Sequence, residues 1–449
     1  MAHTSFKWLA LLGGLVAGTA AFAQDSGPLI DALVKKGILN DQEAEEIRSD
    51  LQKDFAETSA GKLNISSNLK ELKFYGDARV RYENRSGENG VAAVGAPNTT
   101  GLPGDLQERN RFRYRFRFGA TGKLADGWFF GTRLETASGN RSTNVTTGNY
   151  ANAPFGKNAD NTIYVGQIYI GRTVEDFTFT AGRFANPLVT TPMVWDDDIN
   201  VEGLAEQWSH TEGNVTWMAN LGQFTYEGSG GTNNFGATAG KDWTYLLAFQ
   251  GGAKVKTSST TSLQVLPTYY YYTNTKKVNG FTALTTPNSA TLRPEGLSVV
   301  DLPVEFGFKL GSLPAKVWVD YAINLDAQDR AAAAGKPTFD GEDTAWQVGF
   351  GVGQTKAKGD WEAKVFYQSV DAFALDSNLV DSDLFDSRTN MKGYGVSFSY
   401  VISTGVTAKF TYASADRKED SLATYGSGDI GTPNLTNYQL FQADLSVKF

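Results

Sequence analysis

The chain has no cysteine. That excludes a disulfide framework and thiolate metal sites. Histidine is nearly absent: of two, one is His3 and the other is His210. His210 stands next to Ser209 on an expected strand, where neighbouring side chains point to opposite faces. The two therefore cannot form a nucleophile–base pair, and no enzyme, cofactor or metal site is expected. Basic excess is lacking too, because the net charge is -8, which argues against a nucleic-acid partner. Past residue 23 there is no apolar run of 18 residues, so no helix is expected to span a membrane.

What is present begins with an N-terminal leader pattern. Lys7 precedes an apolar stretch from Trp8 to Ala17, and Ala21-Phe22-Ala23 fits a small-x-small cleavage rule. Residues 1–23 are expected to be a secretory signal, so the mature chain starts at Gln24. Leu29 to Phe55 is the one clear helical stretch. Leu29, Ile30, Leu33 and Val34 share a face, Gly37 offers a stop, and Asn40 or Asp41 can cap a second helix. Residues 24–57 are expected to form a periplasmic helical hairpin or coiled-coil segment, and 58–69 a linker.

From about residue 70 the period changes from helix to strand. The decisive stretch reads Arg109-Asn-Arg-Phe-Arg-Tyr-Arg-Phe-Arg-Phe118. As a strand it carries Arg109, Arg111, Arg113, Arg115 and Arg117 on one face. Phe112, Tyr114, Phe116 and Phe118 lie on the other. Guanidiniums about 7 Å apart repel by roughly 0.6 kcal/mol in water and more at lower dielectric. That face needs water, anions or facing carboxylates, whereas the ring face needs an apolar medium.

Alternating runs of roughly ten residues recur to the end, for example Trp346, Val348, Phe350 and Val352 against Gln347, Gly349 and Gly351. Two runs, 161–173 and 242–254, have mixed faces. Candidate strands begin near 70, 109, 128, 162, 177, 204, 214, 242, 261, 300, 315, 343, 361, 390, 405 and 437. Long polar connections alternate with short turns throughout. An even strand number with long loops on one rim and tight turns on the other describes a membrane barrel. A soluble sandwich or propeller would not need that alternation. The expected fold is therefore all-β: a transmembrane antiparallel β-barrel of about 16 strands over 70–449, behind the short helical segment.

The last strand alternates Phe441, Ala443, Leu445, Val447 and Phe449 with polar residues. It resembles the C-terminal signature of Gram-negative outer-membrane proteins. That likeness implies Phe449 is the signal read by the barrel-assembly machinery. The segments Ala181-Gly-Arg-Phe-Ala-Asn-Pro-Leu188, Val194-Trp-Asp-Asp-Asp-Ile-Asn200 and Glu202-Gly-Leu204 resemble the "Putative porin" family of Gram-negative bacteria. The resemblance implies an outer-membrane channel for small hydrophilic solutes or ions, similar to the general sixteen-stranded porins. By the same analogy it suggests a homotrimer.

A basic wall is expected inside the barrel: Arg79, Arg81, Arg109, Arg111, Arg113, Arg115, Arg117 and Arg133. A lipid-facing arginine costs about 2–4 kcal/mol at the bilayer midplane, so five in register must face inward. The loop at 185–203 resembles in position the inward-folded loop of general porins. Its acids Asp196, Asp197, Asp198 and Glu202 are expected to face the arginines across the narrowest point. Strict alternation leaves Arg183 on the lipid face, re-aimed by a bulge or seated at the outer rim. The rival reading is a tether or adhesin barrel without conduction, with the N-terminal helices reaching peptidoglycan.

Overall fold

The structure is a computed structural model. It describes residues 33–36, 39, 42–47, 66, 68–89, 106–137, 142–148, 162–228, 243–275, 293–426, 428–430 and 435–449. The chain divides into two units, Met1–Ser67 and Asn68–Phe449. In the first, helical turns cover 33–35 and 42–47, on either side of the break expected at Gly37. The expected signal at 1–23 and most of the expected linker lie outside the described residues.

The second unit is one antiparallel sheet of sixteen barrel strands closed on itself. They are β1 Leu69–Asn89, β2 Leu106–Leu124, β3 Trp128–Ala137, β4 Thr162–Val174, β5 Phe177–Ala185 and β6 Asn200–Glu212. Next come β7 Val215–Glu227, β8 Thr244–Lys256 and a broken β9, Ser262–Val265 plus Thr268–Tyr272. The remainder are β10 Ser298–Leu310, β11 Leu313–Asn324, β12 Thr344–Gly353, β13 Trp361–Val370, β14 Met391–Ser403, β15 Val406–Arg417 and β16 Leu435–Lys448. Both pieces of β9 pair the same two neighbours. Pro267, which has no N–H for the ladder, lies in the break. β1 pairs β2 on one side and β16 on the other, which closes the barrel. At the seam Gly76 N–H donates to Phe449 O at 2.9 Å and Phe449 N–H returns to Gly76 O at 3.1 Å. A Cβ on Gly76 would sit 2.6 Å from the Phe449 ring, so glycine lets the terminal phenylalanine lie over β1.

Exposure settles which face is which. On β2, Phe112 is 63%, Phe116 43% and Phe118 38% exposed, whereas Arg111, Arg113 and Arg115 are 7%, 5% and 9%. The rings form the outer surface and the guanidiniums point inward. The same partition holds on β12 and β13, where Trp346, Val348, Val365 and Tyr367 are exposed.

Both mixed-face runs have physical causes. In β4 the pairing with β3 slips between Arg133 and Leu134, so Gly166 is an extra residue and the faces exchange there. In β8 both faces are apolar. Leu246 and Ala248 point inward and are buried, while Phe249 points out and is 48% exposed. The inward residues serve an interior core that the strand period alone does not announce. Phe184, Leu188, Met193, Val194, Trp195, Phe224, Leu246, Tyr270, Leu375 and Leu379 pack into one cluster. Four of these come from the loop 186–199 between β5 and β6, and two from the loop 371–390 between β13 and β14. Both loops fold into the barrel.

Candidate functional site

The arginines lie on the inner face of β1, β2 and β3, packed under the loops. Arg81 is held bidentately by Asp444 of β16 at 2.6 and 2.9 Å, and by Asp383 of the loop 371–390 at 2.7 Å. Arg85, two positions further along the same face of β1 with Glu83 between, pairs Asp383 at 2.9 Å, Asp386 at 3.3 Å and Glu83 at 3.0 Å. Glu83 is fully buried and also accepts from Arg111 Nε at 2.6 Å. Arg111 and Arg109 meet Asp429 from the loop after β15. Arg113 reaches Ser142 at 2.9 Å, and Arg79 donates to Asn144. Arg115 and Arg117 share Asp77, and Arg133 pairs Glu135 at 2.8 Å. Nearly every guanidinium has a carboxylate. The electrostatic problem posed by the ladder is answered by acids from the wall and from three loops.

The acids expected at the narrowest point separate. Asp198 reaches Arg115 at 3.4 Å and Arg117 at 3.6 Å. Asp196 instead accepts from the backbone and hydroxyl of Ser382, both at 3.2 Å. Asp197 faces the far wall. Glu202 departs most from expectation. It lies on β6, on the outward face, and pairs Arg183 of β5 at 2.6 Å. No bulge intervenes between β5 and β6, so Arg183 stays outward, two residues from the loop rim, neutralised by its cross-strand neighbour. His210 also faces outward, stacked on Trp208 and bonded to Asp176 at 2.7 Å.

The loop 371–390, expected as one of the long polar connections at 372–388, is instead partly apolar and folds inward. It crosses the interior. Asp376 accepts from Tyr226 of β7 at 2.6 Å and Tyr272 of β9 at 3.0 Å. Seven residues later, Asp383 reaches Arg81 and Arg85 on β1. Burial acts to raise Asp383, but Arg81, Arg85 and Arg79 outweigh it and hold the carboxyl well below its ordinary range. Backbone bonds tie this bar to the other loop: Asp196 N–H to Leu379 O at 2.6 Å, and Asp381 N–H to Pro192 O at 3.1 Å.

Across from the arginines, a cavity of about 400 Å³ remains between the loops and the wall. Asp197 and Asp381 line it from the loops, and Lys316, Lys364 and Lys409 from β11, β13 and β15. Pairing puts Lys316, Gly351 and Lys364 in one row across three strands. Gly351 between them leaves room for both lysine stems, each 3.5 Å from where its Cβ would be. Lys316 is paired with Glu305 and Lys364 with Glu362.

A family model described as "Putative porin" matches residues 37–293 and 308–449. The chain belongs to this porin family. No curated protein sequence matches it. Among solved structures it is similar to an anion-selective porin from Comamonas acidovorans, at 10% identity and TM-score 0.46, over 84% of this chain and 99% of that one. A loop-deletion mutant of OmpT, an outer membrane protein of Vibrio cholerae, matches at 9% identity and TM-score 0.43, again over 84% and 99%.

In this porin the contact between the two loops carries a pH signature. Burial and the neighbouring Asp198 push Asp196 up to about 6. Burial and Asp196 push Asp381 well above its usual range. A carboxyl with a raised value binds more protons in the docked state than in the released one. Docking is therefore strongest below about pH 4 and weakens as pH climbs through about 6. Trp195, 1% exposed beside Asp196, reports it. Acrylamide quenching of the Trp195 component, taken as the difference from W195F, should increase between pH 5 and 7.5. D196N should flatten that rise.

Proposed function

We propose that the protein is an outer-membrane porin passing small hydrophilic solutes and ions by passive diffusion. Its path runs on the lysine side of the barrel rather than along the arginine ladder. The observation carrying this is the cavity in which the loop acid Asp197 opposes Lys316, Lys364 and Lys409. Opposed rows of charge hold a transverse field, keep a narrow passage wet and orient dipolar solutes. The arginines, matched by Asp77, Glu83, Asp383, Asp429 and Asp444, anchor the loops that shape the passage.

In planar bilayers the protein should give discrete conductance steps; a pure tether or adhesin would give none. K364Q/K409Q should move the reversal potential in a salt gradient toward cation preference. R109Q, at the loop rim, should leave it nearly unchanged. A shift for R109Q and none for the lysines would return the path to the arginine wall.

The remaining assignments follow from this reading. Residues 1–23 direct export, and the helical turns at 33–35 and 42–47 belong to a periplasmic segment facing peptidoglycan. The strand ending at Phe449 is the assembly-machinery signal. Outward-facing Glu206, hydrogen-bonded by Gln223 Nε2 at 3.1 Å, is costly against hydrocarbon and supports burial against another copy, as in a homotrimer.

A further inference from the structure

Two carboxyls inside the barrel have no basic partner among the described residues. Asp301 of β10 and Asp320 of β11 are both 0% exposed. They point inward on adjacent strands, diagonal to each other, since Asp301 pairs Ala322 and Asp320 pairs Pro303. The two groups lie within hydrogen-bonding reach of one another. Among the described residues no side-chain donor reaches either Asp301 oxygen or Asp320 Oδ1. Asp320 Oδ2 accepts from Thr191 of the in-folded loop.

A third group independently points at the same place. Tyr270 of β9 is 2% exposed and its hydroxyl makes no hydrogen bond. Tyr270 lies on the same inward face as Thr268, two residues along, and Thr268 is the direct cross-strand partner of Asp301. Thr268 is near, but its own hydroxyl donates to Leu266 O at 3.3 Å and accepts from Gln250 at 2.7 Å.

Buried carboxylates are paired, protonated or metal-bound. One proton shared between the two aspartates would join one oxygen of Asp301 to Asp320 Oδ1, and would leave the second Asp301 oxygen and the Tyr270 hydroxyl unanswered. A hard divalent cation takes six to eight oxygen ligands, carboxylates among them, and answers all of them together. We propose that Asp301, Asp320 and the Tyr270 hydroxyl form a binding site for a calcium-class divalent cation, behind the loop 186–199 where Thr191 meets Asp320. The cation would fix that loop to the wall. This site does not depend on conduction.

The test is terbium luminescence on the full chain, folded in detergent and freed of lipopolysaccharide at neutral pH. Tyr270 and Trp195, stacked on it with centroids 6.4 Å apart, would sensitise bound terbium. The expected result is one saturable signal that calcium displaces, absent in D301N/D320N. Y270F keeps the ring and its packing, so it should remain folded if the double variant does not. It should bind calcium at least severalfold more weakly. No saturable binding to the folded protein, or binding unchanged in D301N/D320N or in Y270F, overturns the site and leaves a shared proton as the pair's chemistry.

Discussion

E83Q is expected to destabilise the barrel by about 3–5 kcal/mol, the cost of removing one partner from a buried ionic group. Glu83 is 0% exposed. Arg85 stands 3.0 Å away, Arg81 3.6 Å and Arg113 3.7 Å, Arg111 Nε donates at 2.6 Å, and Gln442 Nε2 donates at 3.0 Å. A glutamine keeps the shape but removes the one carboxylate that, among the described residues, is shared by all four guanidiniums. Their mutual repulsion is then opposed only by Asp383, Asp386, Asp429 and Asp444 at the margins. Urea midpoints of folded protein, read by gel heat-modifiability, measure the effect. Replacing a buried charge by an apolar side chain of similar size often costs little. R113M, which removes a guanidinium whose Nε has no hydrogen bond, should therefore recover part of the loss in E83Q/R113M. A midpoint for E83Q equal to that of the parent would show the ladder to be solvated rather than held through Glu83.

The barrel was legible because its outer face obeys a two-residue period over most of its circumference, β4 excepted. Strand starts expected near 128, 162, 177 and 361 are observed at those residues. Those near 109 and 204 came late, because Leu106–Glu108 and Asn200–Glu202 each hold a single apolar residue among polar ones, too few to show alternation. The inward direction of the arginines was also legible, from the energetics of rings and guanidiniums on one strand. Their partners were not. Asp383, Asp386 and Asp429 lie roughly 300 residues away in loops, and only closure of β1 on β16 brings them near. The lysine row was hidden for a similar reason. Lys316, Lys364 and Lys409 are single residues on three strands, and pairing alone aligns the first two. One signal was available and passed over. The loop 371–390 contains Ala372, Phe373, Ala374, Leu375, Leu379, Val380, Leu384 and Phe385, too much apolar surface for a solvated connection.

Removing residues 374–387 and joining the ends with a short glycine–serine bridge should raise single-channel conductance severalfold. The segment is a bar across the bore, fixed at one wall by Tyr226 and Tyr272 on Asp376 and at the other by Arg81 and Arg85 on Asp383. Its apolar middle, Leu379 and Val380 at 8% and 7% exposure, packs into the interior cluster with Trp195. Without it the bore widens, and water replaces the packed core around Trp195. Barrel stability should fall less than for E83Q, because Arg81 and Arg85 are then solvated rather than left unpaired in a dry site. The same deletion removes Asp383, the partner of Arg81 and Arg85, while leaving the guanidiniums in place, so the reversal potential should move toward anions. The two readouts are independent: conductance follows the area of the opening, and selectivity follows the fixed charge on its wall. A folded deletion variant with unchanged conductance would mean that solutes do not pass this level of the barrel.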